Sequence, residues 1–417
     1  MRNRVAIVAA GLVGAFALYQ AEAWNAQPDL FIYRQGAAIA LRGESPYEPA
    51  KIRAAVNEQF PNPNAGPDDF QNNCGFFLPP AAALWYAPLA AVPWREAKWI
   101  WAVLCGLAAL GVTRLAWTSR SRERLECEVS GTPVAHATGS TAFDHVVPFL
   151  LVVNFLTFAI VQVGQTTLVT VGCVAFGLVC FEKKRPLAGT ILWSVAFVKP
   201  HIALPLIPLA WFLGGWKRAA GLVLIVGFEN VIGAMIAGGT PLFLGEYLEF
   251  LAAGHKAVAF NLAERNYEIT SWNRLLFVFT GHVVEQTATI TLAGDLIGFG
   301  MVVGRCAVAN AKPGVAWALA AAGTASAFIP QALGYEVLIL ALAVPWVREA
   351  SANGYRLVGG LGIALLVAQL IPFGTFANLG VTFHRPLAVA AFALLVLAGP
   401  VNFTHGPASV QPPASDR

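Results

Sequence analysis

Residues 28–49 read PDLFIYRQGAAIALRGESPYEP, directly after an apolar run at 5–24 that is long enough to cross a bilayer. The stretch opens on Asp29, is apolar through Leu30, Phe31 and Ile32, and closes on Arg42-Gly43-Glu44-Ser45-Pro46-Tyr47. Its pattern predicts a short amphipathic helix from Asp29 to Leu41, lying in the membrane interface with Leu30, Phe31, Ile32 and Ala37 toward lipid. Asp29, Tyr33 and Arg34 would then gather at the head-group boundary, with Asp29 and Tyr33 one helical turn apart. Locally, Asp29 also reads as an N-cap or first-turn acid favoured by the helix dipole. A carboxylate held at the surface by one hydrophobic helix, ahead of a loop rich in Tyr, Pro, Asn and Asp, suits a membrane-embedded catalyst better than a simple channel.

Outward from that stretch the chain is membrane-like throughout. Of its 417 residues, 57% are apolar and 12% charged, with a mean hydropathy of +0.62, against about 25% charged in soluble domains. Apolar runs at 5–24, 97–117, 145–162, 165–182, 187–198, 202–215, 219–238, 288–308, 314–330, 336–347, 355–372 and 385–402 predict an all-α polytopic membrane protein of about twelve transmembrane helices. They form one domain, residues 1–402, with a cytoplasmic, disordered tail at 403–417. The N-terminus carries Arg2, Arg4 and an Ala21-Glu22-Ala23 that imitates a signal cleavage site, but its apolar run is long for a signal and reads as a retained helix.

Segment 77–92, FLPPAAALWYAPLAAV, is short and carries Pro79, Pro80 and Pro88, so it reads as re-entrant. This choice keeps the Arg-rich 118–144 loop cytoplasmic, as the positive-inside rule requires. The clusters Lys183-Lys184-Arg185 and Lys217-Arg218 fall on the same side. With no aromatic-interleaved basic patch, nucleic acid is not an expected partner. The outer side receives 25–76, Gly164-Gln165, Lys199-Pro200-His201, 239–287, 331–335 and 373–384. Of the six cysteines only Cys74 falls outside, so no intramolecular disulfide is expected.

Lys199 lies inside an apolar run, where a lone cation demands an anionic partner; snorkelling to outer head groups is the alternative. Gln165 lines either a cavity or its own turn. Tyr335-Glu336, His384 and Arg385 stand at outer ends of late spans, and Asp295 lies within the 288–308 span.

The ordered landmarks Asp29-Leu30-x-x-Tyr33, Gly43-x-x-Pro46-Tyr47, Phe77-Leu78-Pro79-Pro80 with Ala87-Pro88-Leu89, Gly164-Gln165, Arg185-Pro186-Leu187-Ala188-Gly189 and Lys199-Pro200 resemble the polyprenyl-phosphate-sugar-dependent glycosyltransferases of the GT-C superfamily. In particular they resemble glycosyltransferase family 87, which includes polyprenyl-phosphate-mannose-dependent mannosyltransferases. The resemblance covers about residues 20–350. It departs at Ile269-Thr270-Ser271-Trp272-Asn273, where the family usually carries Asn-x-Ser, and at Tyr335-Glu336, where it carries Tyr-Asp.

The resemblance implies a GT-C-like bundle with interfacial helices in the first outer loop. It implies inverting transfer of a hexose, mannose foremost, from a polyprenyl-phosphate donor to a lipid or glycan acceptor, at the outer (periplasmic or exterior) face of the cytoplasmic membrane. Asp29 would be the general base. Lys199, His201, Gln165 and Arg34 would bind the donor phosphate or lipid, with Tyr33, Tyr47, Tyr335, Glu336, His384 and Arg385 lining the cavity or supporting it. No cofactor is expected: there is no DxD near Asp29, and Asp68-Asp69 sits in a Pro/Asn-rich loop, so a divalent metal is not required, though left open. The competing class is a transporter or flippase for a lipid-linked or anionic solute. An enzyme should bring Asp29 and Lys199 to one cavity on the outer side, whereas a transporter should show paired halves around a midplane site; the sequence shows no internal repeat.

Overall fold

The computed structural model describes residues 2–23, 27–62, 64, 74–115, 143–257, 269–285, 288–309, 313–330, 332–371 and 383–403. Every element among them is helical, in keeping with a solvent in which backbone groups must be satisfied within their own segment. The first part comprises α1 (Arg2–Glu22), α2 (Pro28–Leu41), α3 (Pro49–Gln59), α4 (Pro80–Ala90) and α5 (Trp94–Leu115). After it come α6 (Phe143–Val152), α7 (Phe155–Val163), α8 (Thr167–Glu182), α9 (Pro186–Val195), a 3-10 turn at Ala196–Val198, and α10 (Pro200–Ala203). Next are α11 (Leu206–Gly238), α12 (Phe243–Ala257), α13 (Trp272–Thr280) and α14 (Ala288–Ala309). The chain ends with α15 (Val315–Phe328), a 3-10 run at Gly334–Ala343, α16 (Val344–Ala352), α17 (Arg356–Leu370) and α18 (His384–Ala398).

Within the described residues, each of the twelve expected spans coincides at least in part with a helix, but length supports fewer crossings. Among the described residues, α1, α5, α11 and α14 are the helices long and apolar enough to cross unaided. The pair α7 and α8, bent by 111°, would make a fifth. The two spans expected at 202–215 and 219–238 meet in α11, which is broken at Gly214 and Gly215, the latter at φ 71° where only glycine sits without strain. Helix α4 has 11 residues, about 16 Å of rise, too short to cross and in keeping with a re-entrant segment. Residues 116–142, with the arginine-rich loop and Cys127, lie outside the described residues, as do Asp68-Asp69 and the tail from 404.

Two expectations are corrected. Helix α2 does not offer Leu30, Phe31, Ile32 and Ala37 to lipid: all four are buried in protein, because α2 is enclosed by α3, α4, α7 and α11. Three consecutive apolar residues span most of a helical turn, which is a pattern for burial on several sides rather than for one lipid-facing stripe. Cys74, expected as an accessible outer thiol, is buried as well.

The packing runs as a chain of neighbours. Helix α1 lies along α5, α5 along α8, α8 along α9, α9 along α11, and α11 along α4, which returns to α2. Helices α15 to α18 form the second group, and the 3-10 run at 334–343 joins the two by touching α15, α7 and α8. A 3-10 run of 10 residues is longer than this geometry usually sustains, and such stretches mark strain or function. It delivers Glu336 between the groups.

Candidate active site

The site starts at a turn. Gly164 ends α7 at φ 77°, and a Cβ there would stand 2.7 Å from Leu30 Cβ and 2.9 Å from Leu30 N. Glycine is thus required twice, for the left-handed backbone and for the approach. The same turn accepts the Gln27 N–H at the Gln162 carbonyl, 2.8 Å away. The α7–α8 turn therefore nests on the first turn of α2, which carries Asp29 as its first-turn acid.

Gln165 uses that docking. Its Nε2 donates to Asp29 Oδ2, and its Oε1 accepts from the Tyr33 hydroxyl at 3.2 Å. Helical spacing puts Asp29 and Tyr33 on one face, so a single amide clasps both. Burial pushes the Asp29 carboxyl from its ordinary 3.8 up to about 6, against the Gln165 hydrogen bond and the positive charge of Lys199, which both lower it. Asp29 itself keeps some exposure.

Lys199 occupies the break between the 196–198 turn and α10, at φ −122°, ψ 77°, where the following Pro200 disfavours a helical residue. Its Nζ donates to Thr167 Oγ1 at 3.1 Å and to Glu336 Oε1 at 2.8 Å, and lies 4.9 Å from the Tyr335 ring centroid. His201 Nε2 is 3.2 Å from the same Glu336 oxygen. The other carboxylate oxygen accepts the Leu333 N–H at 2.9 Å, fixing Glu336 at the start of the 3-10 run. Lys199 and Glu336 are 4% and 2% exposed, a fully buried ion pair; the His201 side chain is 40% exposed. Thr167 follows Gln165 by two residues, so the start of α8 links the Asp29 group to the Lys199 group.

Other expected residues serve elsewhere. Arg34 donates Nε to the Leu89 carbonyl at 3.1 Å and Nη2 to the Val92 carbonyl at 2.7 Å, tying α2 to the end of α4. Tyr47 donates to the Leu78 carbonyl at 3.0 Å and packs among Phe76, Phe243, Tyr247 and Phe250. Arg385 donates to the Ile371 carbonyl at 3.2 Å, and His384 opens α18. Neither hydrogen-bonds Asp29, Lys199 or Glu336. Asp295 lies on α14, which packs against α15 and α18, with no hydrogen-bond partner for either oxygen among the described residues. The segment 269–273 braces the Glu336 turn, Thr270 N–H donating to the Ala332 carbonyl at 2.9 Å.

Among the described residues, Asp29 and Lys199 line neither of two surface hollows. These apolar hollows of about 310 Å³ each are lined instead by Leu150, Asn154, Val367, Leu370 and Ile371, and by facing residues of α1 and α5. In the Lys199 group, Lys199 and Glu336 are buried and His201 is the partly exposed member. Among the described residues no three His, Cys, Asp or Glu side chains are grouped to hold a metal.

Sequence reading missed three participants. Thr167 looked like an ordinary helix start. Gln27 gave no local signal. Glu229, within α11, accepts the Ser194 hydroxyl at 2.7 Å, while its neighbour Asn230 accepts the Ala81 N–H at 3.4 Å, pinning α4 to α11. An acid inside an apolar run was the available signal.

A model of glycosyltransferase family 87 matches residues 76–369. The chain belongs to glycosyltransferase family 87. The match takes in Gln165, Thr167, Lys199, His201 and Glu336 and makes the protein a glycosyltransferase rather than a transporter, while Asp29 precedes the matched region and is tied to it by its bond to Gln165. No curated protein matches the chain.

Proposed function

We propose that this family 87 glycosyltransferase moves a hexose, mannose foremost, from a polyprenyl-phosphate donor to a hydroxyl of a lipid or glycan acceptor, with inversion, at the outer face of the cytoplasmic membrane. The observation that carries the reading is the convergence of Asp29 and Lys199, 170 positions apart in the chain, on neighbouring residues at the start of α8.

The acceptor oxygen bonds to the anomeric carbon as the bond from that carbon to the phosphate oxygen breaks, its electron pair leaving with the phosphate. The acceptor proton passes to Asp29, which must come within about 2.6–3.2 Å of the hydroxyl. One carboxylate suffices, because a phosphate leaves already charged, whereas glycoside hydrolysis needs a second carboxyl to protonate its leaving group. Lys199 meets that charge. An ammonium has three N–H donors; two are committed to Thr167 and Glu336, and the remaining one is offered to a donor oxygen. His201, the partly exposed member, adds to it. No metal or other cofactor takes part in this step.

The experiment is incubation of purified protein with a panel of polyprenyl-phosphate sugars and lipid or glycan acceptors. The reading expects acceptor-dependent loss of one donor; loss of none, in protein shown to be folded, would overturn it.

A further inference from the structure

Gln27 combines two unfavourable features. Its side chain is wholly buried, yet among the described residues neither Nε2 nor Oε1 has a hydrogen-bond partner, and a buried polar group without one is destabilising. Its backbone sits at φ 66°, ψ 48°, in the left-handed region where a residue with a Cβ is disfavoured. Among the described residues the other non-glycine at positive φ is Lys184, in an exposed turn. Gln369 also has an amide without a partner among the described residues, but in the regular helix α17. Gln27 joins both features two residues before Asp29, its Cβ 3.1 Å from where a Cβ on Gly164 would stand. Strain of this kind persists where the surroundings hold it, and it concentrates at functional sites.

A bend alone would be met by glycine, or by asparagine with a shorter amide. Glutamine adds a buried N–H donor and carbonyl acceptor two residues before the base. A hydroxyl both donates and accepts, so adjacent sugar hydroxyls satisfy both edges of a primary amide. The amide is neutral and does not compete for the acceptor proton. A hydroxyl bound to Gln27 therefore leaves Asp29 free for the attacking one.

We propose that Gln27 is a sugar-recognition residue whose side-chain amide hydrogen-bonds a non-reacting hydroxyl of the transferred sugar or of the acceptor. The proposal rests on the reading of Asp29 as the base of a glycosyltransferase. It makes hydroxyl pattern the basis of selectivity, since a site with a buried polar group rejects analogues that lack its partner.

The test is a substrate–variant cycle on the full-length enzyme in nanodiscs. Parent, Gln27→Gly and Gln27→Asn are assayed with polyprenyl-phosphate mannose, with its monodeoxy analogues, and with acceptors lacking single hydroxyls. Glycine keeps the left-handed backbone and removes the amide. In the parent, one deoxy analogue should lower kcat/KM by tenfold or more, about the value of one hydrogen bond. In Gln27→Gly that penalty should fall to within about twofold, with Gln27→Asn between. A donor analogue that behaves so assigns the contact to the transferred sugar, and an acceptor analogue to the acceptor. Equal deoxy penalties in parent and Gln27→Gly overturn the proposal, whatever happens to thermal stability. Failure of the parent to turn over any donor would count against the parent reading itself.

Discussion

Asp29 holds its proton until about pH 6 because burial outweighs both the Gln165 hydrogen bond and the Lys199 charge. A base works as the carboxylate, so kcat/KM should rise with pH through about 6 and level above it. Removing a donor to the charged form raises a pKa further; Gln165→Ala should therefore move this limb to higher pH, and a pH–rate profile reads the shift. An unmoved limb would mean that another group titrates. Lys199 belongs to the same scale. Lys199→Ala leaves Glu336 buried without its cation, a change that costs about 3–5 kcal/mol in comparable pairs, and should weaken donor binding much more than Lys199→Arg. Equilibrium binding of labelled polyprenyl-phosphate sugar with thermal unfolding separates the two effects, and parent-like donor affinity in the alanine variant sinks the phosphate role. Asp29 and Lys199 were legible in the sequence because a charge in apolar surroundings is conspicuous. Glu336 as the partner of Lys199 was not, since the pair is 137 positions apart and only packing joins them.

The elements that matter most are the α7–α8 turn and the first turn of α2. Gly164→Ala would drive a Cβ into Leu30 from a left-handed backbone, adding strain of about 1–3 kcal/mol and displacing Gln165. Activity should fall further than stability does, measured as kcat/KM against thermal midpoint; full activity would show that the clasp on Asp29 does not need this turn. The sequence marked Gly164-Gln165 as a landmark between spans and pointed to the shortness of α4 through its prolines. It misplaced α2. A composition fit for an interface is also fit for a helix enclosed by α4, α7 and α11, and local pattern cannot distinguish lipid from protein as the apolar neighbour. The same limit applies to α7 and α8, where hydrophobic length cannot report a 111° bend.

For Asp29 and Lys199 to meet one substrate, α2, the Gly164 turn and Lys199 must share one side of the membrane. Single cysteines at the exposed positions Ala50, Lys184 and Lys217, placed in a cysteine-free background, test this with an impermeant thiol reagent. Ala50→Cys should react in intact cells, and Lys184→Cys and Lys217→Cys only after permeabilisation; labelling of Lys184→Cys from outside would reverse the parity of the chain beyond α5. The proposed chemistry turns on the carboxylate of Asp29 taking the acceptor's proton. Its most direct measurement is turnover and donor binding by Asp29→Asn in proteoliposomes, beside the parent enzyme. The asparagine keeps the shape and loses the base, so donor binding should stay near that of the parent while turnover falls by roughly 10²–10⁴. Near-parental turnover by correctly inserted Asp29→Asn would contradict the claim and leave Asp29 as the first-turn acid of α2.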